Sequence, residues 1–264
     1  MKRALVTGSG KRLGRAMALY LAGRGYDVAV HYCCSEKEAA EVVAQIKAMG
    51  QMAVALQADL LNEAAAQALV QRASDGLGGA LNCLVNNASI FEHDTLAGAS
   101  RESWDRHMQS NLRAPFVLTQ NFAAQAPKAT VDEAGEMLSS ALVVNMLDQR
   151  VKKLTPEFMS YTIAKMGLWA FTQTAAQSLA PHVRVNAIGP GSTLQAEKQG
   201  HAHFKDQRQN VPLIRGANVQ DITAALGYFL DAPAVTGQIL AVDGGQSIAW
   251  QTPDILGFKP ENQG

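Results

Sequence analysis

Apolar residues fall along the chain in two alternating kinds of segment. Short β-branched or aliphatic runs lie near residues 3–7, 27–32, 52–57, 81–86, 141–146, 183–188 and 238–242. Between them, apolar positions recur with helical spacing near 12–24, 36–49, 62–75, 103–126, 156–180 and 218–230. A strand bounded by helices, repeated along the chain, predicts a parallel sheet with helices on both faces. The strands are nearly all apolar rather than alternating, as a sheet covered on both sides requires. No internal repeat or low-complexity linker interrupts this order, so residues 1–264 are expected to form one domain. Two stretches read as irregular. Residues 127–140 carry Pro127, Gly135 and an acidic cluster, and residues 191–216 are rich in Gly, Gln and His. The second follows a strand's carboxyl end, where ligands of open α/β sheets bind, and is expected to cover a substrate. Residues 247–264 read as a tail.

Composition narrows the class of partner. The 264 residues include 23 basic and 23 acidic side chains, a net charge of zero, so no polyanion or charged membrane surface is expected to bind. The three cysteines, Cys33, Cys34 and Cys83, form no C-x-x-C pair. A disulfide framework is therefore not expected, and a reducing compartment fits. A strand-like run begins at Arg3, before a signal peptide could be accommodated, and no apolar run reaches membrane-spanning length. The expectation is a cytoplasmic enzyme or binding protein acting on a small molecule.

Candidate chemistry begins at Thr7-Gly8-Ser9-Gly10-Lys11-Arg12-Leu13-Gly14, between the first strand and the first helix. Glycines there allow a tight turn and bring backbone close to a pyrophosphate, which the helix N-terminus stabilises. A nucleotide-triphosphate P-loop is excluded, because Arg12 stands where a Ser or Thr must hold magnesium. After the second strand the chain reads Val30-His31-Tyr32-Cys33-Cys34-Ser35, without the acid that binds the ribose hydroxyls of NAD. With Lys11 and Arg12 nearby, the expected cofactor is NADPH. Further on, Ser160-Tyr161-Thr162-Ile163-Ala164-Lys165 opens a helix with Tyr161 and Lys165 on one face, one turn apart. An ammonium beside a phenol favours the phenolate, so Lys165 is expected to lower the Tyr161 pKa and make it a usable acid near neutral pH. Asn86-Asn87-Ala88 follows the fourth strand, Asn111 lies in a helix, and Gly189-Pro190-Gly191 follows the sixth strand.

From Thr7 to Val242-Asp243-Gly244-Gly245, this set resembles the short-chain dehydrogenase/reductase superfamily. The resemblance implies a single-domain, doubly wound Rossmann fold with a seven-stranded parallel sheet, assembled as a homo-oligomer, with a tetramer favoured. It implies Tyr161 as acid/base, Lys165 as its ribose-binding partner, and Asn111 as holder of a proton-relay water. It implies a cofactor site from Gly8, Arg12, Leu13, Gly14, His31, Tyr32, Ser35, Asp59, Leu60, Asn87, Ala88, Ser89, Met146, Tyr161, Lys165, Pro190, Gly191 and Ser192. One departure is informative. The superfamily usually has a serine at the end of the fifth strand, where Val143-Val144-Asn145-Met146-Leu147-Asp148 ends in an aspartate. Together with Arg12 in the glycine turn and Asn87-Ala88-Ser89-Ile90-Phe91, this is similar to the pteridine reductase branch. That likeness implies a substrate site of Arg12, Ser89, Phe91, Asp148 and Tyr161, with Phe91 stacking on a pterin. Cys34 stands where the branch can carry an arginine.

Other residues carry less. His201 and His203 lack the three or four ligands of a zinc site, so no metal is expected. His93, His107 and His182 have no partner visible in sequence, and Trp104, Trp169, Cys33 and Cys34 read as packing residues. Three functions remain open: a dihydropterin or dihydrofolate reductase, a general carbonyl or quinone reductase of the same fold, and a non-catalytic dinucleotide sensor. An intact Tyr161, Lys165 and Asn111 argues against the sensor.

Overall fold

The computed structural model describes residues 1–195 and 200–252. In chain order, the first half runs β1 (Lys2–Val6), α1 (Arg12–Gly23), β2 (Tyr26–Tyr32), α2 (Glu36–Ala48), β3 (Ala53–Gln57), α3 (Glu63–Gly76) and β4 (Cys83–Asn86). It continues through α4 (Arg101–Met108), a π-turn (Gln109–Arg113), α5 (Ala114–Gln125), and a short hairpin of β5 (Thr130–Val131) and β6 (Met137–Leu138). There follow β7 (Ala141–Met146), α6 (Met159–Leu179), β8 (Val183–Pro190), α7 (His201–Gln209), α8 (Val219–Asp231) and β9 (Ile239–Val242). Seven strands form one parallel sheet in the order β3-β2-β1-β4-β7-β8-β9. Both β2 and β4 pair with β1. The chain therefore reverses its direction of growth between β1 and β4, and a crevice opens at the carboxyl ends of those strands, where such folds take ligands.

Alternation along each strand divides the core into two layers. Ala4 and Val6 of β1 face one side with Met17 and Leu21 of α1 and Ile222 and Phe229 of α8. Leu5 faces the other with Leu69 of α3, Phe122 of α5 and Ala175 of α6. A fully buried Leu or Phe in these layers stabilises the fold by roughly 1.5–3 kcal/mol. Among the described residues no helix is long and apolar enough to cross a membrane.

The structure corrects several expectations. The helix expected over 103–126 begins at Arg101, because Ser100 caps it: its hydroxyl accepts from Ser103 N at 3.0 Å and Ser103 Oγ accepts from Ser100 N at 3.2 Å. It is also not continuous, being widened by a π-turn that contains Asn111. Helix α6 starts three residues after the expected 156, since Phe158 adopts a left-handed conformation (φ 57°, ψ 50°) that ends the preceding loop. The excursion at 127–140 contains the β5–β6 hairpin, and the expected loop 191–216 contains α7. The expected tail at 247–264 overlaps a 3₁₀ turn, Gln246–Ile248; residues 196–199 and 253–264 of these two segments lie outside the described residues.

Candidate active site

The turn from β1 to α1 is built by close backbone contacts. Gly8 has φ +62°, and a Cβ added to Gly14 would lie 2.2 Å from the Gly8 carbonyl oxygen, so only glycine permits this approach. Thr7 Oγ1 accepts from Asn87 N (2.8 Å) and Ala88 N (2.9 Å), and the Asn87 amide donates to Thr7 O at 2.8 Å. Asn87 and Ala88 thus lock β4 to the turn. The N-terminus of α1 has no side-chain cap and no acid in its first turn, which leaves backbone N–H groups and the positive end of the helix dipole for an anion. This is a donor set that fits a pyrophosphate.

His31, expected in the cofactor site, is buried beneath the glycine turn as part of the scaffold. It is 1 % exposed; Nδ1 accepts from Gly8 N at 3.0 Å, so Nε2 carries the proton toward Ala58 O, also at 3.0 Å. Burial lowers its pKa to about 4 and keeps it neutral. Period-two alternation turns His31 inward, leaving Cys33 and Cys34 exposed beyond the strand end; neither is the packing residue expected. Tyr32 is half-buried, and the Ser35 hydroxyl packs on Gly10, where an added Cβ would lie 2.7 Å away. Leu60 is buried in the core, and Asp59 is exposed, accepting from Leu61 N at 2.9 Å. Lys11 pairs with Glu38 at 2.7 Å. Arg12 reaches across the crevice rather than along it: its guanidinium donates to Leu194 O (3.1 Å) and Gln195 O (2.9 Å), joining the glycine turn to the loop after β8. Leu13 and Gly14 open α1, Pro190 ends β8, and in the loop that follows, beyond Gly191, Ser192 Oγ donates to Gln207 of α7 at 3.0 Å.

The carboxyl ends of β4 and β7 and the start of α6 bring the chemistry together. Tyr161 donates its phenol to Asp148 Oδ2 at 3.0 Å, and Asp148 Oδ1 accepts from Arg150 N at 2.8 Å. Lys165 donates to Met146 O at 2.7 Å, with its ammonium 5.6 Å from the centre of the Tyr161 ring. Burial lowers the Lys165 pKa to about 8. The expected lowering of the Tyr161 pKa is reversed in this arrangement. Burial first, then the charge and hydrogen bond of Asp148, hold the phenol well above its ordinary value, against opposing contributions from Arg150 and Ser89. Helical spacing shows the lysine, whereas the carboxylate comes from the turn after β7. Asn111 is buried, and its side chain is committed to the loop after β4: Oδ1 accepts from Ile90 N (2.9 Å) and Ser89 Oγ (3.2 Å), and Nδ2 donates to Ile90 O (2.8 Å). Asn111 lies in the π-turn, where backbone pairing departs from the i−4 pattern of an α-helix.

Phe91 is 46 % exposed and meets the Tyr161 ring edge-on at 4.7 Å. Two residues absent from the expected site join it. Phe158 stacks on Phe91 at 4.2 Å and 6°, and the Arg150 guanidinium lies 4.8 Å over Phe158 and 6.0 Å from Phe91. Neither had a signal in the sequence, because only the left-handed turn at 158 and the 3₁₀ turn Gln149–Val151 aim them there.

A dinucleotide cradle beside a Tyr–Lys pair at the topological switch point defines an oxidoreductase of the Rossmann type. Residues 2–204 match the short chain dehydrogenase family, and the chain belongs to it. Its similarity to individual members is spread over several activities. The structure of FolM alternative dihydrofolate reductase 1 from Brucella suis, in complex with NADP, superposes with a TM-score of 0.89 at 40 % identity, covering 96 % of this chain and 98 % of that one. Pteridine reductase 1 of Leishmania tarentolae is 30 % identical over 280 residues, 93 % of this chain and 96 % of the relative. The 3-oxoacyl-[acyl-carrier-protein] reductase FabG of Staphylococcus aureus is 31 % identical over 249 residues, 92 % and 97 % of the two chains.

Proposed function

We propose that this short-chain oxidoreductase uses NADPH to reduce a dihydropterin, free or as the ring of dihydrofolate, to the tetrahydro form. The observation that carries the reading is Asp148, in the place of the family's usual serine, hydrogen-bonded to Tyr161 at 3.0 Å beside the exposed Phe91 ring. When bound, NADPH supplies the hydride. The chain supplies a slot with an aromatic wall and polar edges, which suits a flat, nitrogen-rich bicycle better than an aliphatic ketone. Tyr161, kept protonated by burial and by Asp148, delivers a proton to the substrate from a fully loaded state. The phenolate left behind faces two cations, Lys165 and Arg150. Asp148 accepts from the substrate's amino-pyrimidine edge, or relays to the phenolate a proton taken up from solvent. Absence of an acid at the end of β2 supports NADPH over NADH, as do relatives solved with NADP.

The likeness to a 3-oxoacyl reductase favours a second reading, reduction of an acyl or simple carbonyl. The deciding experiment follows NADPH oxidation by the purified protein with dihydrobiopterin, dihydrofolate, a quinone and an acetoacetyl ester. Turnover of the pterins, suppressed by Phe91→Ala, supports the proposal. Turnover of carbonyls alone, undisturbed by Asp148→Ser, replaces it with the second reading.

A further inference from the structure

The loop after β4 has no regular secondary structure through residue 94, yet it carries Ser89 and Phe91. It is fastened at every second residue. Ile90 is held by Asn111, Glu92 N donates to His107 Nε2 at 3.2 Å, and the Asp94 carbonyl accepts from Phe158 N at 2.8 Å. Phe91 sits between these anchors, with its ring edge-on to Tyr161 at 4.7 Å.

The middle fastening is the informative one. His107 is fully buried on α4, so its ring nitrogens depend on protein partners. Nε2 accepts the Glu92 N–H, which places the proton on Nδ1, and Nδ1 donates to Ser160 Oγ at 2.7 Å. The Ser160 hydroxyl in turn donates to the Asp94 carboxylate, which also accepts from Ser160 N at 3.1 Å and Ser103 Oγ at 3.3 Å. Ser160 is the residue before Tyr161, and the His107 ring lies edge-on to the Tyr161 ring at 6.0 Å. Asp94 and Glu92 from the loop and Arg106 from α4 are the charged groups near the imidazole; burial, with Arg106, outweighs the two carboxylates and keeps it neutral.

We propose that His107 is a positioning residue with two separable duties: through Nε2 it sets the Phe91 wall, and through Nδ1 and Ser160 it sets Tyr161. The wall's effect on pterin binding rests on the function proposed above; the coupling to Tyr161 does not.

The test separates the two nitrogens. His107→Asn keeps a donor where Nδ1 stood and loses the acceptor, releasing Glu92. It is expected to raise KM for dihydrobiopterin about tenfold, the scale of one buried hydrogen bond, with kcat changed less than about twofold. His107→Gln keeps an acceptor where Nε2 stood and loses the donor to Ser160. It is expected to lower kcat about tenfold with KM nearly unchanged, and Ser160→Ala should do the same without touching the histidine. NADPH affinity, read from the fluorescence of the bound nucleotide, and melting temperature are measured for each variant. A residue that merely holds the fold together would lower the melting temperature and shift KM and kcat alike in both histidine variants; that result overturns the proposal. If the wild-type protein reduces no pterin, the functional reading fails separately. The Tyr161 arm is then read with a carbonyl substrate, and equal kcat in wild type, His107→Gln and Ser160→Ala overturns that coupling too.

Discussion

Replacing Asp148 tests the central contact of the site. Its carboxylate receives the Tyr161 hydroxyl at 3.0 Å and the Arg150 backbone N–H at 2.8 Å, and it is half-buried. Asp148→Ser restores the family's usual residue but withdraws the charge and shortens the side chain, so the Tyr161 contact is lost or replaced by a neutral one. A hydrogen bond to a charged group is worth about 1.5–3 kcal/mol, which is roughly 10–100-fold in kcat/KM if the contact acts in the transition state. Asp148→Asn keeps the shape and removes only the charge, and is expected to lose less than the serine variant. The charge and hydrogen bond of Asp148 both raise the Tyr161 pKa, so either variant should also move the alkaline limb attributable to Tyr161 to lower pH. The assay is steady-state NADPH oxidation with dihydrobiopterin and with a quinone, across pH, with nucleotide binding measured separately. A loss confined to the pterin supports Asp148 as a substrate-reading group. Equal retention of pterin and quinone turnover in Asp148→Ser would refute the reasoning.

Four further outcomes are expected. Tyr161→Phe should bind NADPH normally and lose about 10²–10⁴-fold in kcat, the usual range for removing a general acid; turnover near wild type in a stopped assay would reject Tyr161 as proton donor. With Lys165 lowered to about 8, its positive charge is lost as pH rises through that value, so kcat should decline above pH about 8, and Lys165→Met should be slow at every pH and lack that limb. His31 is lowered from 6.5 to about 4, so on acidification the unfolded chain takes up the proton first. Its contribution, roughly 3 kcal/mol above that window, is lost as pH falls from about 6.5 to 4; a thermal-melting series should show the decline, with His31→Gln flattening it. Gly14→Ala drives a Cβ to 2.2 Å from the Gly8 oxygen, so nucleotide affinity measured by calorimetry should collapse even where the far-ultraviolet circular dichroism is retained.

The layered architecture was legible in the sequence because burial on both faces of a parallel strand leaves a direct mark: β7 reads Ala-Leu-Val-Val-Asn-Met and is buried throughout. All seven sheet strands fell within a few residues of their expected places, and the glycine turn was legible because Gly8 and Gly14 occupy positions that no side chain fits. Tyr161 and Lys165 were visible as an i, i+4 pair, and Asp148 as a departure from a familiar pattern. What the sequence could not decide was how long-range neighbours meet. Whether Arg12 faces a phosphate or the carbonyls of 194 and 195 depends on a contact 182 and 183 residues away. The direction of the Tyr161 shift depends on burial and on a carboxylate from the turn after β7, neither of which follows from helical spacing. His31 looked like a cofactor contact and proved a pin for Gly8, while His107, with no partner in sequence, proved to link three segments. Local periodicity records which side of an element is buried. The partner of a buried polar atom is set by the packing of elements distant in sequence, and only the tertiary structure specifies that.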